Sequence, residues 1–316
     1  MKIAFVGKGG SGKTTISTLF ALHAAKSKPV TLIDADINVH IPDLLSMGSN
    51  HPTSISSDES AGEIKNTLIA DNRLVKDPAE LKKTTPPSSG SYIVDFDDIS
   101  STKISGFFVP VNDSLGIGVV GTYEGDKIGV SCYHNNLSVL ENILSHSTAN
   151  NSYVVVDMVA GTDAFASTMH AQFDASIVVV EPTQKSINVY KKYVELAKEA
   201  GTLEQIFYVA NKIEDEIDRE FIDTHLDPNR CLGYFTRSTH LRHVDKKQAE
   251  IDPGKLEDSE IAVLETIMQT LDECYIKEQD RLPSLWKLHE KYVAQGYVVA
   301  RHGDLTSQID TEFIYP

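Results

Sequence analysis

Residues 7–15 read Gly-Lys-Gly-Gly-Ser-Gly-Lys-Thr-Thr, and they follow the apolar run at residues 2–6. Glycine at positions 7 and 12, followed by Lys13 and Thr14, has the spacing of a loop that wraps nucleotide phosphates. An apolar segment enters this loop, and a segment with apolar residues at helical spacing leaves it. The stretch therefore predicts a strand, a phosphate-binding loop and a helix, rather than a glycine-rich turn that matches by chance.

The chemistry of such a loop assigns expected roles to its side chains. Backbone N–H groups of a tight turn and the positive end of the following helix surround phosphate oxygens. Lys13 is expected to contact the β- and γ-phosphates, and the Thr14 hydroxyl is expected to coordinate Mg²⁺. The residues predicted to contact the nucleotide here are Gly7, Gly9, Gly10, Ser11, Gly12, Lys13, Thr14 and Thr15.

Acidic residues follow two other apolar segments. Asp34 and Asp36 come at the end of an apolar run that begins at residue 30, and Asp157 ends the run at residues 153–156. Ligands of open α/β sheets lie at the carboxyl ends of parallel strands, so these carboxylates are candidates for holding a metal and positioning water. Aspartate is also common in ordinary turns, so each position is a weak signal by itself.

A fourth segment, residues 206–210, ends in Asn211-Lys212. An asparagine at a strand end can pair with the edge of a purine, and a lysine stem can lie along the ring. The dipeptide is frequent in proteins, so it predicts a base-binding pair only in combination with the loop upstream.

In this order, these four segments resemble those of the deviant-Walker P-loop ATPases, the group of MinD, ParA and the nitrogenase iron protein. The most similar subgroup is the CooC-type ATPases, which help to insert nickel into carbon monoxide dehydrogenase. The resemblance covers roughly residues 1–48 and 115–255. It implies an α/β fold of the P-loop NTPase class, with a mostly parallel central sheet flanked by helices on both faces.

The resemblance also implies an activity: a slow, switch-like ATPase that uses ATP/ADP and Mg²⁺ and forms a homodimer bridged by ATP. Its catalytic residues would be Lys8, Lys13 and Asp36, and its Mg²⁺ would be held by Thr14, Asp34 and Asp157, directly or through water. In the deviant loop the lysine at the position of Lys8 reaches the phosphates of the partner subunit, like an arginine finger supplied in trans. Without that role, Lys8 would be a solvated surface lysine.

Residues 129–136 depart from the subgroup pattern. They read Gly-Val-Ser-Cys-Tyr-His-Asn-Asn, whereas CooC-type proteins have approximately Gly-Cys-Tyr-Cys-Tyr-Val-Asn-Asn. The resemblance implies a metal ion at the dimer interface held by two Cys-x-Cys pairs, but here Val130 replaces the first cysteine. Two copies of Cys132 and His134 would still supply two sulfurs and two nitrogens, a set that suits Zn²⁺ or Ni²⁺. The alternative is that Cys132 packs as a small apolar residue.

The bulk composition limits the function classes. The chain has 316 residues and a formal net charge of −16, which disfavours nonspecific binding to nucleic acid and to anionic membranes. Its three cysteines, Cys132, Cys231 and Cys274, form no disulfide framework, so we expect a reducing, cytoplasmic location.

The expected organisation is an ATPase domain at residues 1–255 with a variable insert at 49–114. Residues 256–316 form a C-terminal helical extension packed on the same domain, with helices predicted at 259–278 and around 285–292. The favoured function is a metalloenzyme maturation factor or metallochaperone with a metalloenzyme client. The alternatives are a partitioning or positioning ATPase of the ParA/MinD kind, and an ATP-binding regulator without hydrolysis, which the intact acidic residues disfavour.

Overall fold

The computed structural model describes residues 1–122, 133–166 and 168–316, except for the side chains of residues 133–135 and 245. The strands in these parts of the chain are β1 Lys2–Gly7, β2 Val30–Ala35, β3 Val94–Asp95, β4 Val109–Asn112, β5 Leu115–Val119, β6 Ser147–Thr148, β7 Tyr153–Met158, β8 Ala175–Val180, β9 Ile206–Ile213 and β10 Cys231–Thr236. The α-helices are α1 Lys13–Ala24, α2 Ile41–Leu44, α3 Asp58–Ile69, α4 Tyr133–Ser145, α5 Gln184–Ala200, α6 Glu216–His225, α7 Thr239–Asp245, α8 Asp258–Cys274, α9 Glu278–Val293 and α10 Gly296–His302.

The main sheet has the order β10-β9-β8-β1-β7-β2-β5-β4. Every neighbouring pair is parallel except β4 and β5, which pair antiparallel at one edge. β3 and β6 form a small separate parallel sheet. The prediction of an α/β fold with a mostly parallel sheet is confirmed. Within the described residues, no helix is long and apolar enough to cross a membrane.

Helices cover both faces of the sheet because the central strands are apolar on both sides. Alternate residues of one strand enter opposite cores: Ala4 and Val6 belong to one buried cluster, and Ile3 and Phe5 belong to the other. The first cluster includes apolar residues of α3, α4 and α5, whereas the second includes those of α1 and α8. Continuous burial of this kind is typical of parallel sheets that are enclosed by crossover helices.

The strand order decides which chain segments meet at the phosphate loop. β1 lies between β7 and β8, and β7 in turn pairs with β2, so that Asp34 and Asp157 are direct neighbours across the sheet. Because these strands are parallel, their carboxyl ends share one edge. The acidic segments and the loop therefore converge at one place although they are far apart in sequence.

Several element boundaries differ from those predicted. The helix predicted to continue to residue 278 ends at Cys274, and a second helix, α9, begins at Glu278. The insert at residues 49–114 supplies the antiparallel edge strand β4, which local sequence patterns do not reveal because pairing direction depends on the neighbouring strand.

The insert and the C-terminal extension are in contact with each other. Nδ1 of His289 lies 2.9 Å from Thr84 Oγ1, and the Thr85 hydroxyl donates a 2.9 Å hydrogen bond to Gln308 Oε1. Ser89 donates a 2.7 Å hydrogen bond to the carboxylate of Asp310. The two parts of the chain outside the family resemblance thus pack together.

A buried ionic network joins the extension to the first strand. Lys2 Nζ lies 3.0 Å from Glu278 Oε1, and Arg281 Nη2 lies 2.7 Å from Asp174 Oδ1. The Arg281 guanidinium also contacts Glu278 and donates hydrogen bonds to backbone carbonyls of the segment before β8. All four side chains are almost completely buried, so loss of one partner would leave a charge without its counterpart in the interior.

We expect Arg281→Ala to lower the free energy of unfolding by about 3–5 kcal/mol, because the buried Asp174 would lose its charged partner. The matched control is Asp272→Ala, which removes an exposed pair with Lys28 and should cost less than about 1 kcal/mol. Urea unfolding followed by circular dichroism measures both values. Equally small losses would contradict a structural role for the network.

Candidate functional site

The loop between β1 and α1 has a backbone that requires glycine at two positions. Gly12 has a φ of 90°, and a Cβ at this position would collide with Nδ2 of Asn211. A Cβ on Gly7 would lie 2.7 Å from the carbonyl oxygen of Val179 on the neighbouring strand. The loop is therefore held closely between β8 and the end of β9. The buried hydroxyl of Ser11 finds no hydrogen-bond partner among the described residues.

Lys13 and Thr14, the first residues of α1, both contact one carboxylate. Lys13 Nζ lies 2.7 Å from Asp157 Oδ1, and Thr14 Oγ1 donates a 2.6 Å hydrogen bond to Asp157 Oδ2. Lys13 also lies 3.6 Å from Asp36 Oδ2, and only 6% of its side chain is exposed. The structure thus places Lys13, Thr14, Asp36 and Asp157 within one small polar cluster.

Asp157 and its neighbour across the sheet, Asp34, lie in an environment that disfavours their charge. Burial raises the pKa of Asp157, and the nearby Lys13 ammonium offsets this only in part. Burial, together with the negative charge of Asp157, raises the pKa of Asp34 to about 6. Two acids this close would repel each other, so an added cation is favoured beside them.

Asp34 accepts hydrogen bonds from backbone N–H groups, whereas Asp157 contacts the side chains of Lys13 and Thr14. One oxygen accepts a hydrogen bond from the backbone N–H of Asp36, and the other accepts those of His40 and Ile41. Asp34 therefore fixes the backbone that follows β2 and begins α2. Asp36, which follows it, accepts hydrogen bonds from Asn38 and approaches Lys13.

Lys8 and Lys212 share a partner that was not among the predicted site residues. Lys8 Nζ lies 3.1 Å from Glu181 Oε2, and Lys212 Nζ lies 2.7 Å from Glu181 Oε1. Burial alone would raise the pKa of Glu181, but hydrogen bonds from Lys212 and Lys8 outweigh it and hold the pKa below its ordinary value. Glu181 directly follows the buried strand β8, and this strand-end position is the signal in the sequence that identifies it.

Asn211 contacts the loop rather than a cavity. Its Nδ2 donates a 2.7 Å hydrogen bond to the carbonyl of Ser11. A cavity of about 520 Å³ opens on another side of the loop and is lined by Thr14, Thr15, His40 and residues 247–250, among others, but not by Asn211 or Lys212. The predicted base-binding pair, Asn211 and Lys212, therefore contacts the phosphate loop, whereas the cavity opens on another side of the same loop.

The predicted interface metal site falls mostly outside the described residues. Cys132 is not described, and His134 lies at the start of α4 with its side chain undescribed. In the described part of the chain, no group of three or more His, Cys, Asp or Glu side chains is arranged to hold a metal ion.

The loop suits a phosphate group, and the polar cluster suits Mg²⁺. The loop opens at the first turn of α1, where N–H groups without helical partners favour an anion. Thr14 and Asp157 supply only oxygen ligands, which is the chemistry that Mg²⁺ prefers. Lys13 would balance the charge of the phosphates.

Gly12→Ala and Gly10→Ala form a matched pair that tests the loop. Both substitutions place a Cβ at positive φ, which costs roughly 1–2 kcal/mol, but only the Gly12 substitution meets Asn211. We expect Gly12→Ala to lower the free energy of unfolding by about 1–3 kcal/mol more than Gly10→Ala. Urea unfolding measures the difference, and Asn211→Ala should recover part of it. Equal losses would show that Asn211 does not constrain the loop.

Comparisons with known proteins agree with this geometry. Residues 3–251 match the family model described as the CobQ/CobB/MinD/ParA nucleotide binding domain. The chain is 27% identical over 219 residues to an uncharacterized ATP-binding protein of Methanocaldococcus jannaschii, covering 68% of this chain and 80% of that protein. It is 24% identical over 250 residues to the carbon monoxide dehydrogenase accessory protein CooC of Rhodospirillum rubrum, covering 78% and 87% of the two chains.

A solved structure supports the same fold. A putative plasmid partition protein of Borrelia burgdorferi bound to AMPPNP superposes with a TM-score of 0.57, at 14% identity, over 87% of this chain and 99% of that chain. The predicted resemblance to the deviant-Walker P-loop ATPases is confirmed. The chain belongs to the CobQ/CobB/MinD/ParA nucleotide-binding domain family.

Proposed function

We propose that this protein is an ATP-hydrolysing dimeric switch that takes part in the maturation of a metalloenzyme. The observation that carries the ATPase part is the cluster in which Lys13 and Thr14 both contact Asp157, with Asp36 beside Lys13. Phosphoryl transfer needs little covalent chemistry from a protein. It needs a cation for the phosphates, oxygen ligands for Mg²⁺ and a group that positions water, and this cluster contains all three.

Each residue of the cluster then has a defined role. When ATP binds, Lys13 leaves Asp157 for the β- and γ-phosphates, and Thr14 and Asp157 become available to hold Mg²⁺ directly or through water. The bound Mg²⁺ would supply charge stabilisation for the terminal phosphate. Asp36 orients the attacking water and accepts its proton as the bond from oxygen to the γ-phosphorus forms and the bond to the β-phosphate oxygen breaks.

Lys8 connects hydrolysis to dimerisation in this proposal. Its side chain is one-third exposed, which leaves it accessible to a second protomer in this proposal. A lysine donated to the triphosphate of the neighbour would stabilise charge that develops during hydrolysis. ATP would then bridge two copies of the chain, and hydrolysis would release them.

The maturation role rests on the CooC relative and on residues 129–136. One thiol and one imidazole per protomer, from Cys132 and His134, would form a four-ligand site across the dimer for Zn²⁺ or Ni²⁺. A site made of two halves would form and dissolve with the nucleotide cycle. The few, scattered cysteines are consistent with work in the reducing cytoplasm.

Two substitutions separate dimerisation from hydrolysis. We expect Lys8→Ala to abolish ATP-dependent dimerisation while each protomer still binds ATP, because Lys13 and the loop are intact. We expect Asp36→Asn to keep the dimer but slow hydrolysis by about 10²–10⁴-fold, since the water loses its base. Sedimentation velocity with ATP and Mg²⁺ and a phosphate-release assay measure the two effects. Dimers of unchanged stability in Lys8→Ala would rule out its role in trans.

Metal content tests the maturation role. We expect the ATP-bound dimer to retain one Zn²⁺ or Ni²⁺ per two chains after gel filtration, and we expect Cys132→Ser to lose it. Cys274→Ser, at the end of α8, is the matched control and should retain the metal. A wild-type dimer without metal that binds DNA or liposomes would instead support a partitioning or positioning ATPase.

A further inference from the structure

Glu181 occupies a position between the two exposed lysines of the site. One carboxylate oxygen contacts Lys8 at 3.1 Å and the other contacts Lys212 at 2.7 Å. The same lysines also lie on the loop backbone, because Lys8 Nζ donates to the carbonyl of Gly9 and Lys212 Nζ donates to that of Gly10. One carboxylate thus holds both ammonium groups against the mouth of the loop.

The backbone around Glu181 keeps this carboxylate in place. Glu181 directly follows β8, and its own N–H donates a 3.0 Å hydrogen bond to the hydroxyl of Ser186 in the first turn of α5. Thr183 caps the same helix by accepting a hydrogen bond from the N–H of Ser186. Only 12% of the Glu181 side chain is exposed, so it is a fixed counter-charge rather than a mobile surface group.

We propose that Glu181 is a positioning residue that retains Lys8 on its own protomer until ATP binds and a second protomer arrives. This inference rests on the proposed dimeric ATPase function. In this proposal Lys8 gives up its 3.1 Å contact with Glu181 when its side chain extends to the phosphates of a neighbour. Dimer formation therefore exchanges a single carboxylate for a triphosphate, which carries more negative charge and is the stronger partner.

Lys212 keeps the Glu181 carboxylate paired when Lys8 moves to the triphosphate. When Lys8 leaves, Lys212 still lies on the other oxygen of Glu181, so the half-buried carboxylate keeps a positive partner. A carboxylate paired with Lys8 alone would oppose the transfer much more strongly, because breaking the pair would leave it uncompensated. Because Glu181 pairs with both lysines, Lys8 can leave it at a small cost in free energy. Glu181 thereby holds Lys8 until ATP and a second protomer are present.

The first test asks whether Glu181 retains Lys8 in the nucleotide-free protein, before any dimer forms. The nucleotide-free protein is treated briefly with acetic anhydride, and acetylation of Lys8 is followed by peptide mass spectrometry. We expect Glu181→Gln to accelerate this acetylation about three- to fivefold, the factor that corresponds to a partly exposed ion pair. The matched control is Glu195→Gln, which removes an exposed partner of Lys192 on α5 and should leave Lys8 labelling unchanged. Unchanged labelling in Glu181→Gln would overturn the proposal.

The second test measures dimerisation. In ATP and Mg²⁺, sedimentation velocity should show that Glu181→Gln dimerises at a protein concentration about ten- to twenty-five-fold lower than wild type, because each dimer releases two lysines. In the Lys8→Ala background, which should not dimerise, Glu181→Gln should restore no dimer, whereas an effect of Glu181 that is independent of Lys8 would raise dimerisation there too. Weaker dimerisation of Glu181→Gln would overturn the proposal and show that the carboxylate supports the dimer.

The two tests separate the failure of this inference from failure of the proposed function. A wild-type protein that stays monomeric with ATP contradicts the dimeric switch, while the labelling experiment still decides whether Glu181 retains Lys8. A wild-type protein that dimerises, together with a Glu181→Gln variant that behaves like Glu195→Gln in both tests, leaves the switch intact and excludes the retention. Equal thermal unfolding midpoints of the two nucleotide-free variants exclude misfolding as the cause.

Discussion

A carboxylate buried at the end of a central strand needs a positive partner, and Asp157 obtains it from Lys13. This requirement ties the phosphate loop to the sheet, because the same carboxylate also accepts the hydroxyl of Thr14. The resulting cluster is stable only while its charges balance. In the proposed function, a triphosphate with a divalent cation would preserve this balance, because the phosphates would pair with Lys13 and the cation would pair with Asp157. Each charge of the cluster would then exchange its present partner for one from the nucleotide.

A second group of charges lies on the other side of β1. β1 runs between β7, which ends near Asp157, and β8, which leads to Glu181, so the loop that follows β1 is flanked by an acid on either side. Asp157 pairs with the buried Lys13, whereas Glu181 pairs with the more exposed Lys8 and Lys212. In the proposed function, the inner pair would serve the nucleotide of its own protomer. The outer group would face a second protomer, and its release would then control association.

The C-terminal extension, residues 256–316, lies outside the family match and contacts β1. Glu278 of this extension contacts the buried Lys2 at the start of that strand. The extension also packs on the insert through His289 and Gln308. Removal of the extension would therefore leave Lys2 without Glu278 in the interior. We infer that the extension stabilises the strand that carries the loop, and that it belongs with residues 1–255 in one structural unit.

Local spacing and continuous hydrophobic runs predict the phosphate loop, the apolar strands with polar ends and the α/β class. Gly7, Lys13 and Asp157 could be identified in this way. The folded chain was needed to show that Asp34 binds backbone N–H groups, that β4 is antiparallel and that Glu181 pairs with both Lys8 and Lys212. Lys8 and Glu181 are 173 residues apart, and only the strand order brings them together. Local periodicity predicts which elements form, but it does not specify which charges become neighbours.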